Sequence, residues 1–242
     1  MKILALEFSS PQRSVAVASL DRRDELAESE TPPVAALMGT HLPRPSQVSV
    51  SEVIETARGH STKPLGMVEA ALKGAGLERE QIECIVVGLG PGSYTGIRVA
   101  IALAQGWQLA TGVKLLGISS AESIATQAQA DGFSGQACVV IDAQREEFYV
   151  ASYELAAMEH REISPLRLAA LSEVRERERA GETLIGPEVM RWFSGARVAF
   201  PQAAAMARLA LRRSDFDAGE DLSPIYLRET SFVKAPLPRN IT

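Results

Sequence analysis

Apolar residues along this chain of 242 residues fall into short runs and two long helical patterns, separated by turn-forming residues. Lys2 to Glu7 and Ser14 to Leu20 flank the turn Ser9-Ser-Pro-Gln-Arg13, which predicts a hairpin of two short strands. A third strand is expected at Val48 to Ile54, where apolar positions partly alternate, or earlier at Glu25 to Glu30. Thr31 to Pro45 carries four prolines and reads as an exposed loop. Ser61 suits the N-cap of a helix from Thr62 to Ala75, with Pro64 in its first turn and Gly76 as its stop. A strand at Ile82 to Val87, a helix at Val99 to Ala110 and a strand at Lys114 to Ile118 complete a first lobe, 1–118.

A second lobe, 119–242, is expected to open with a helix at Ala121 to Gln129 and strands at Gln136 to Asp142 and Glu147 to Tyr153. A strand near Ile163 to Leu168 and helices near Ser172 to Ala180, Pro187 to Phe193 and Gln202 to Arg212 follow. Mixed strands with interleaved helices give an α/β architecture.

Two helices of the first lobe carry more apolar surface than one core contact requires. From Ala70 through Met67, Ala71, Val68 and Leu72 to Leu65, apolar residues sweep about 220° of a helical wheel. From Leu109 through Ala102, Gly106, Val99, Leu103, Trp107 and Ala100 to Ala104, the second helix sweeps about 220° as well. A helix packed on one core needs little more than about 100°. Either this chain covers both sides of each helix, or a second polypeptide does. Ala102 and Gly106 would let another helix approach closely, and Trp107 is the residue type that anchors interfaces.

Charge narrows the choice of partner. Lys and Arg number 25 and Asp and Glu 30, a net charge of −5. An acidic chain is poorly suited to gripping a nucleic-acid backbone unaided, because that contact depends on clustered positive charge. Arg175, Arg177 and Arg179 alternate with Glu176 and Glu178 and read as a solvated helix face. Cys84 and Cys138 lie inside apolar strands and read as small buried thiols. No leader-like segment begins the sequence and no uncharged run is long enough to cross a bilayer, so a cytoplasmic, soluble protein is expected.

Candidate chemistry centres on Gly88-Leu-Gly-Pro-Gly-Ser-Tyr-Thr-Gly-Ile-Arg98, between a strand and a helix. Such a turn can aim backbone N–H groups at an anion. It lacks the Gly-Lys-Ser/Thr ending of a P-loop, and its spacing is not Gly-x-Gly-x-x-Gly. Ser93 and Thr95 suit a helix N-cap; neither sits in a Gly-x-Ser-x-Gly elbow. His41, His60 and His160 show no paired-ligand spacing, so no metal site is expected.

The glycine segment resembles the bacterial TsaB (YeaZ) family. Ile3-Leu-Ala-Leu-Glu-Phe-Ser-Ser10 with Ser14-Val-Ala-Val17, Arg58-Gly-His-Ser61, Asp142-Ala-Gln-Arg-Glu-Glu-Phe-Tyr149 and Pro224-Ile-Tyr-Leu-Arg228 are similar to further segments of it, in order. Glu7 stands where that family usually carries Asp, and residues 29–50 are longer and richer in proline than its pattern. The resemblance implies a two-lobed actin-like (ribonuclease-H-like) fold with a reduced second lobe and a C-terminal segment that returns to the first. It implies a non-catalytic subunit of the machinery that makes threonylcarbamoyladenosine at position 37 of tRNAs reading codons that begin with A. The implied partners are a TsaD-like protein and a TsaE-like ATPase, with a homodimer when alone and tRNA met only indirectly. It also favours the second-polypeptide explanation for the two apolar helices, with contact through Leu65, Val68, Leu72, Ile97, Ile101, Ala104 and Trp107.

In the actin-like fold, hairpins that hold phosphates need glycines, and neither Ser9–Arg13 nor Asp142–Glu146 has one. The expectation is therefore no tightly bound cofactor. A weak ATP or ADP contact with magnesium in the assembled complex would draw on Glu7, Gly90, Gly92, Ser93 and Asp142. The rival readings are a stand-alone actin-like ATPase or small-molecule kinase, and a peptidase acting on its partner through Ser93.

Overall fold

β1 (Lys2–Glu7) and β2 (Gln12–Leu20) form an antiparallel hairpin in which Leu4 pairs with Val17 and Glu7 with Ser14. β3 (Val48–Thr56) adds antiparallel to β2, while β4 (Cys84–Gly88) lies parallel to β1 and β5 (Lys114–Ile118) parallel to β4. The first sheet thus runs β3-β2-β1-β4-β5. The structure is a computed structural model, and it describes residues 1–20, 48–56, 63–157 and 159–227.

The second sheet repeats this plan. β6 (Gly135–Asp142), β7 (Glu147–Leu155) and β8 (His160–Ala170) are consecutive antiparallel strands; β9 (Thr183–Gly186) lies parallel to β6 and the two-residue β10 (Arg197–Val198) parallel to β9. Its order, β10-β9-β6-β7-β8, is the first sheet's order with shorter parallel strands. Two such sheets make the two-lobed actin-like fold with a reduced second lobe.

β1 alternates side chains to opposite faces, and both faces are covered. Leu4 and Leu6 meet α1 (Pro64–Ala75) and α2 (Tyr94–Thr111) through Met67, Val68, Ile97 and Ile101. Ile3 and Ala5 meet α5 (Ala203–Ala210) through Ala203, Met206 and Ala207. The sheet itself caps α5: the Ser14 hydroxyl accepts from the Ala203 N–H (2.8 Å) and the Glu52 carboxylate from the Ala204 N–H (3.0 Å). α3 (Ser120–Ala130) packs Ile124 and Ala125 on the second sheet, whose other face is closed by Val174 of α4 (Leu171–Arg179).

After α5 the chain stays on the first lobe. Asp217 bridges to Leu115 at the edge of β5, Leu222 is buried in the first-lobe core, and the Ile225 N–H donates to the Leu89 carbonyl (2.9 Å).

Several expected elements differ from those observed. Pro187 to Phe193 holds only a 3₁₀ turn, Val189–Arg191, which suffices to bury Val189 and Phe193. β9 and β10 are too short to show alternation and are absent from the sequence reading. α1 begins at Pro64 with Lys63 at its N-cap position, and Ser61 and Thr62 lie outside the described residues. α2 begins five residues before the apolar run, where the Ser93 hydroxyl accepts from the Gly96 N–H (3.3 Å). The Glu25–Glu30 strand alternative, the Thr31–Pro45 loop, Arg58 to Ser61, His41, His60, Arg228 and residues 29–47 of the 29–50 segment lie outside the described residues.

The glycine turn is fitted against the first hairpin. A Cβ at Gly96 would stand 1.9 Å from the Phe8 carbonyl oxygen, and one at Gly92 would stand 2.2 Å from that of Ser9. Both obstacles are backbone, which cannot swing aside. Gly96→Ala is therefore expected to destabilise the fold by about 1–3 kcal/mol, measured as a lower urea midpoint with an unchanged slope.

Candidate functional site

Between the lobes the two hairpin turns and the glycine turn enclose a cleft of about 400 Å³. Ser9, Ser10, Pro11 and Arg13 line one wall, Gly92 and Ser93 the floor, and Asp142, Ala143 and Gln144 the other wall. Part of the glycine turn's N–H supply is engaged already. The Leu89 N–H donates to the Ile118 carbonyl (2.9 Å), the Ser93 N–H to the Ser9 carbonyl (2.6 Å) and the Gly96 N–H to the Ser93 hydroxyl (3.3 Å). The turn's glycines let backbone approach backbone here, rather than backbone approach a phosphate. Asp142 closes its own turn by accepting from the Gln144 N–H (2.7 Å). That turn places Gln144, Arg145 and Glu146 at φ of 66°, 59° and 60°, left-handed without glycine. Each such residue costs about 1–2 kcal/mol.

Glu7 does not line the cleft. Its side chain is wholly buried, accepting from the Ser9 N–H (2.6 Å) and the Ser120 hydroxyl (3.1 Å) and lying against Gly88. Glu7 and Asp142 therefore stand apart: one acid is sealed at the junction of β1, β4 and α3, and the other caps a turn.

Burial holds the Glu7 carboxyl above the ordinary glutamate range, and the hydrogen bonds from Ser9 and Ser120 offset that only in part. A raised folded-state pKa favours the protonated folded form. Its stabilising contribution is present below the unfolded value and is lost as pH rises through the folded one. Glu7→Gln can still accept from the Ser9 N–H and can donate its amide N–H to the Ser120 hydroxyl, without a charge, and its stability is expected to equal or exceed the wild type's at pH 8 and to vary less between about pH 5 and 8. Urea titrations of both proteins across that range check this.

Burial pushes both thiols up to about 11, so Cys84 and Cys138 are inert core residues. His160 lies 3.7 Å from Glu122 and edge-on to Tyr153. Among the described residues no group of three or more His, Cys, Asp or Glu side chains could hold a metal. No described helix is long and apolar enough to cross a membrane.

The second site lies on the outer side of α1 and α2, and it corrects the expected contact set. Val68, Leu72, Ile97, Ile101 and Ala104 are all buried in the first-lobe core. Of the seven expected contacts, Leu65, 60% exposed, and the half-buried Trp107 face outward, and Val68, though buried, also lines the groove between the helices. The sheet uses one side of each broad apolar arc, and the surplus lies on the other side. There Leu65, Ala102, Leu103, Gly106, Trp107 and Ala110 line an apolar groove of about 390 Å³ between the helices, with Arg79 and Glu80 at its rim. Leu109 stands beside it, 90% exposed. On the wheel Val99, Gly106 and Ala110 lie farthest from Ile97 and Ile101, with Leu103 next to them.

Comparisons with known proteins bear on both sites. A family model described as "TsaD: tRNA N6-adenosine threonylcarbamoyltransferase" matches residues 53–216, more than half of the chain. TsaB of Haemophilus influenzae is 28% identical over 200 residues, covering 74% of this chain and 84% of that protein. TsaB of Escherichia coli is 33% identical over 97 residues, covering 40% of this chain and 42% of that one.

The chain belongs to the TsaB (YeaZ) family.

An uncharacterized protein of Mycobacterium tuberculosis is 37% identical over 97 residues, and that match spans 44% of its length. Two Pseudomonas aeruginosa structures share the fold. YeaZ aligns over 93% of this chain and 99% of its own with a TM-score of 0.69 at 22% identity. A protein described as similar to peptidase YEAZ aligns over 94% and 99% with a TM-score of 0.71 at 23% identity.

Proposed function

We propose that this TsaB-family chain is a non-catalytic subunit of the bacterial threonylcarbamoyladenosine machinery, and that it works by binding a TsaD-like protein through the α1–α2 groove. The observation that carries the reading is the unpartnered apolar surface of Leu65, Ala102, Leu103, Gly106, Trp107 and Leu109 on the outside of the first lobe. An exposed Leu beside a Trp and a run of small residues is what a helix-packing interface presents before it closes. The names of the relatives support a role in tRNA threonylcarbamoyladenosine biosynthesis, and the match to a TsaD-described model over 53–216 fits a chain related to its own partner.

Catalysis would belong to the partner, with this chain stabilising the partner's active arrangement by binding it preferentially. A TsaE-like ATPase would complete the assembly, and tRNA would be met through the partner. When alone, the chain would pair with itself through the same groove.

A tight nucleotide site in the free chain is not expected, since the Ser93 N–H is bonded to the Ser9 carbonyl and Glu7 is sealed away from the cleft. A weak ATP or ADP contact with magnesium would arise only in the assembled complex. Calorimetric titration of the isolated chain with Mg-ATP is expected to give no measurable heat of binding. Binding in the micromolar range would favour a stand-alone ATPase or kinase instead. Copurification with the TsaD-like protein of the same organism tests the main reading, and failure of the two to associate would refute it.

A further inference from the structure

The C-terminal strap of the described chain ends on an arginine clamp that neither the groove nor the cleft uses. Arg98, in the second turn of α2, lays its guanidinium 4.1 Å from the ring centre of Tyr94 and 6.0 Å from that of Tyr226. The two rings stack on each other at 5.5 Å, and Arg98 Nε donates to the Tyr226 hydroxyl (3.2 Å). Tyr226 is held in place by its neighbours. Leu222 is buried in the core, the Ile225 N–H donates to the Leu89 carbonyl, and the Gly219 carbonyl accepts from Gln105 Nε2 (2.8 Å).

This arrangement fixes a surface arginine without neutralising it. Among the described residues Arg98 has no carboxylate partner, while Arg79, Arg161, Arg167, Arg177, Arg191 and Arg213 each pair with one. Its two terminal nitrogens make no hydrogen bond or ion pair among the described residues on the exposed surface of α2, and Tyr94 (56% exposed) and Tyr226 (46%) flank it with apolar surface. A guanidinium held over an aromatic ring, with its fork open, matches a carboxylate in geometry and has already given up much of its side-chain freedom.

We propose that Arg98, clamped by Tyr94 and Tyr226, is the polar anchor of the docking surface and receives an acidic side chain of the TsaD-like partner. The inference rests on the groove reading, because Arg98 lies one helical turn before Ala102, which lines the groove, so one partner can span both. A carboxylate is favoured over a nucleic-acid phosphate. Backbone phosphates are gripped by several cations together, whereas this clamp holds one and the chain's net charge is −5. The strap's part is preorganisation: it orders the arginine before the partner arrives, so less order has to be imposed on binding.

The test is a calorimetric titration of the full chain with the purified TsaD-like protein of the same organism, at low and high salt. Arg98→Ala is expected to weaken binding by about tenfold or more and to remove most of its salt dependence. Arg98→Lys is expected to recover only part of the affinity, and Tyr226→Phe to fall between it and the wild type. All three lie on the surface and are expected to melt as the wild type does. Charge reversal sharpens the result: Arg98→Glu is expected to bind worst and to be rescued by reversing one acidic residue of the partner.

Unchanged affinity in Arg98→Ala, with binding abolished by Gly106→Arg, would overturn the clamp and leave the groove standing. No binding by the wild type would overturn both. An Arg98→Ala defect confined to self-association, or to capture of a tRNA transcript, would overturn the assignment to this partner.

Discussion

Ile101→Glu is expected to unfold the chain, not to detach a partner from a folded one. Ile101 is 6% exposed and packs with the core that joins α2 to β1 and β4. Replacing it loses about 1.5–3 kcal/mol of apolar burial. Leaving an unpaired carboxylate in that core costs about 3–5 kcal/mol more. The sum is comparable to the whole stability of a typical domain, about 5–15 kcal/mol. Leu72→Arg acts in the same direction, less severely, because a long arginine can carry its charge toward solvent. Far-UV circular dichroism with urea titration decides the matter. A cooperative transition at the wild-type midpoint in Ile101→Glu would contradict the packing described for α2.

Gly106→Arg has the opposite profile: a chain that stays folded and loses its partner. Gly106 is exposed in the middle of α2, and a Cβ added there meets nothing within 4 Å. Glycine inside a helix is less favourable than alanine or arginine by about 0.5–1 kcal/mol, so the substitution should leave the free chain as stable or slightly more so. Helices that pack through small residues approach to about 8 Å between axes, and an arginine at the crossing prevents it. The expected loss of affinity for the TsaD-like protein is at least about thirtyfold, the scale of an interface hot spot. Gly106→Ala separates the two effects, raising the melting temperature of the free chain while adding only a methyl group to the groove.

Much of the fold was legible because its strands are strongly apolar and its turns well marked. Lys114 to Ile118 is bounded by Gly112 on one side and Ser119 on the other, and the strand occupies those residues. Glu147 to Tyr153 was short by two residues only, since Leu155 continues the buried pattern of Phe148, Val150, Ala151 and Tyr153. β9 was invisible because four residues, however buried, carry no period.

The candidate sites were harder. The surplus of apolar surface on α1 and α2 could be read from the wheel, but the side facing the sheet could not. Any apolar arc of about 220° has two edges, and only the position of β1 and β4 shows which is inside. The resemblance implies contact through Ile97, Ile101 and Ala104, which the structure buries, whereas Leu103 and Ala110 line the outer groove and Leu109 stands exposed beside it. The surroundings of Glu7 are hidden from the sequence for a similar reason. A carboxylate at a strand end suggests an ion ligand, and nothing local shows that Ser120, 113 residues away, closes over it. The Arg98 clamp depends on Tyr226, 128 residues on, and periodicity reaches no such distance.

The central claim, that this chain acts by offering its α1–α2 groove to another protein, is tested most directly by titrating the TsaD-like protein into the wild type and Gly106→Arg side by side. The expected result is a saturable heat of binding with the wild type and none with the variant, whose melting temperature is at least as high. Equal binding by both proteins, or binding by neither, would contradict it.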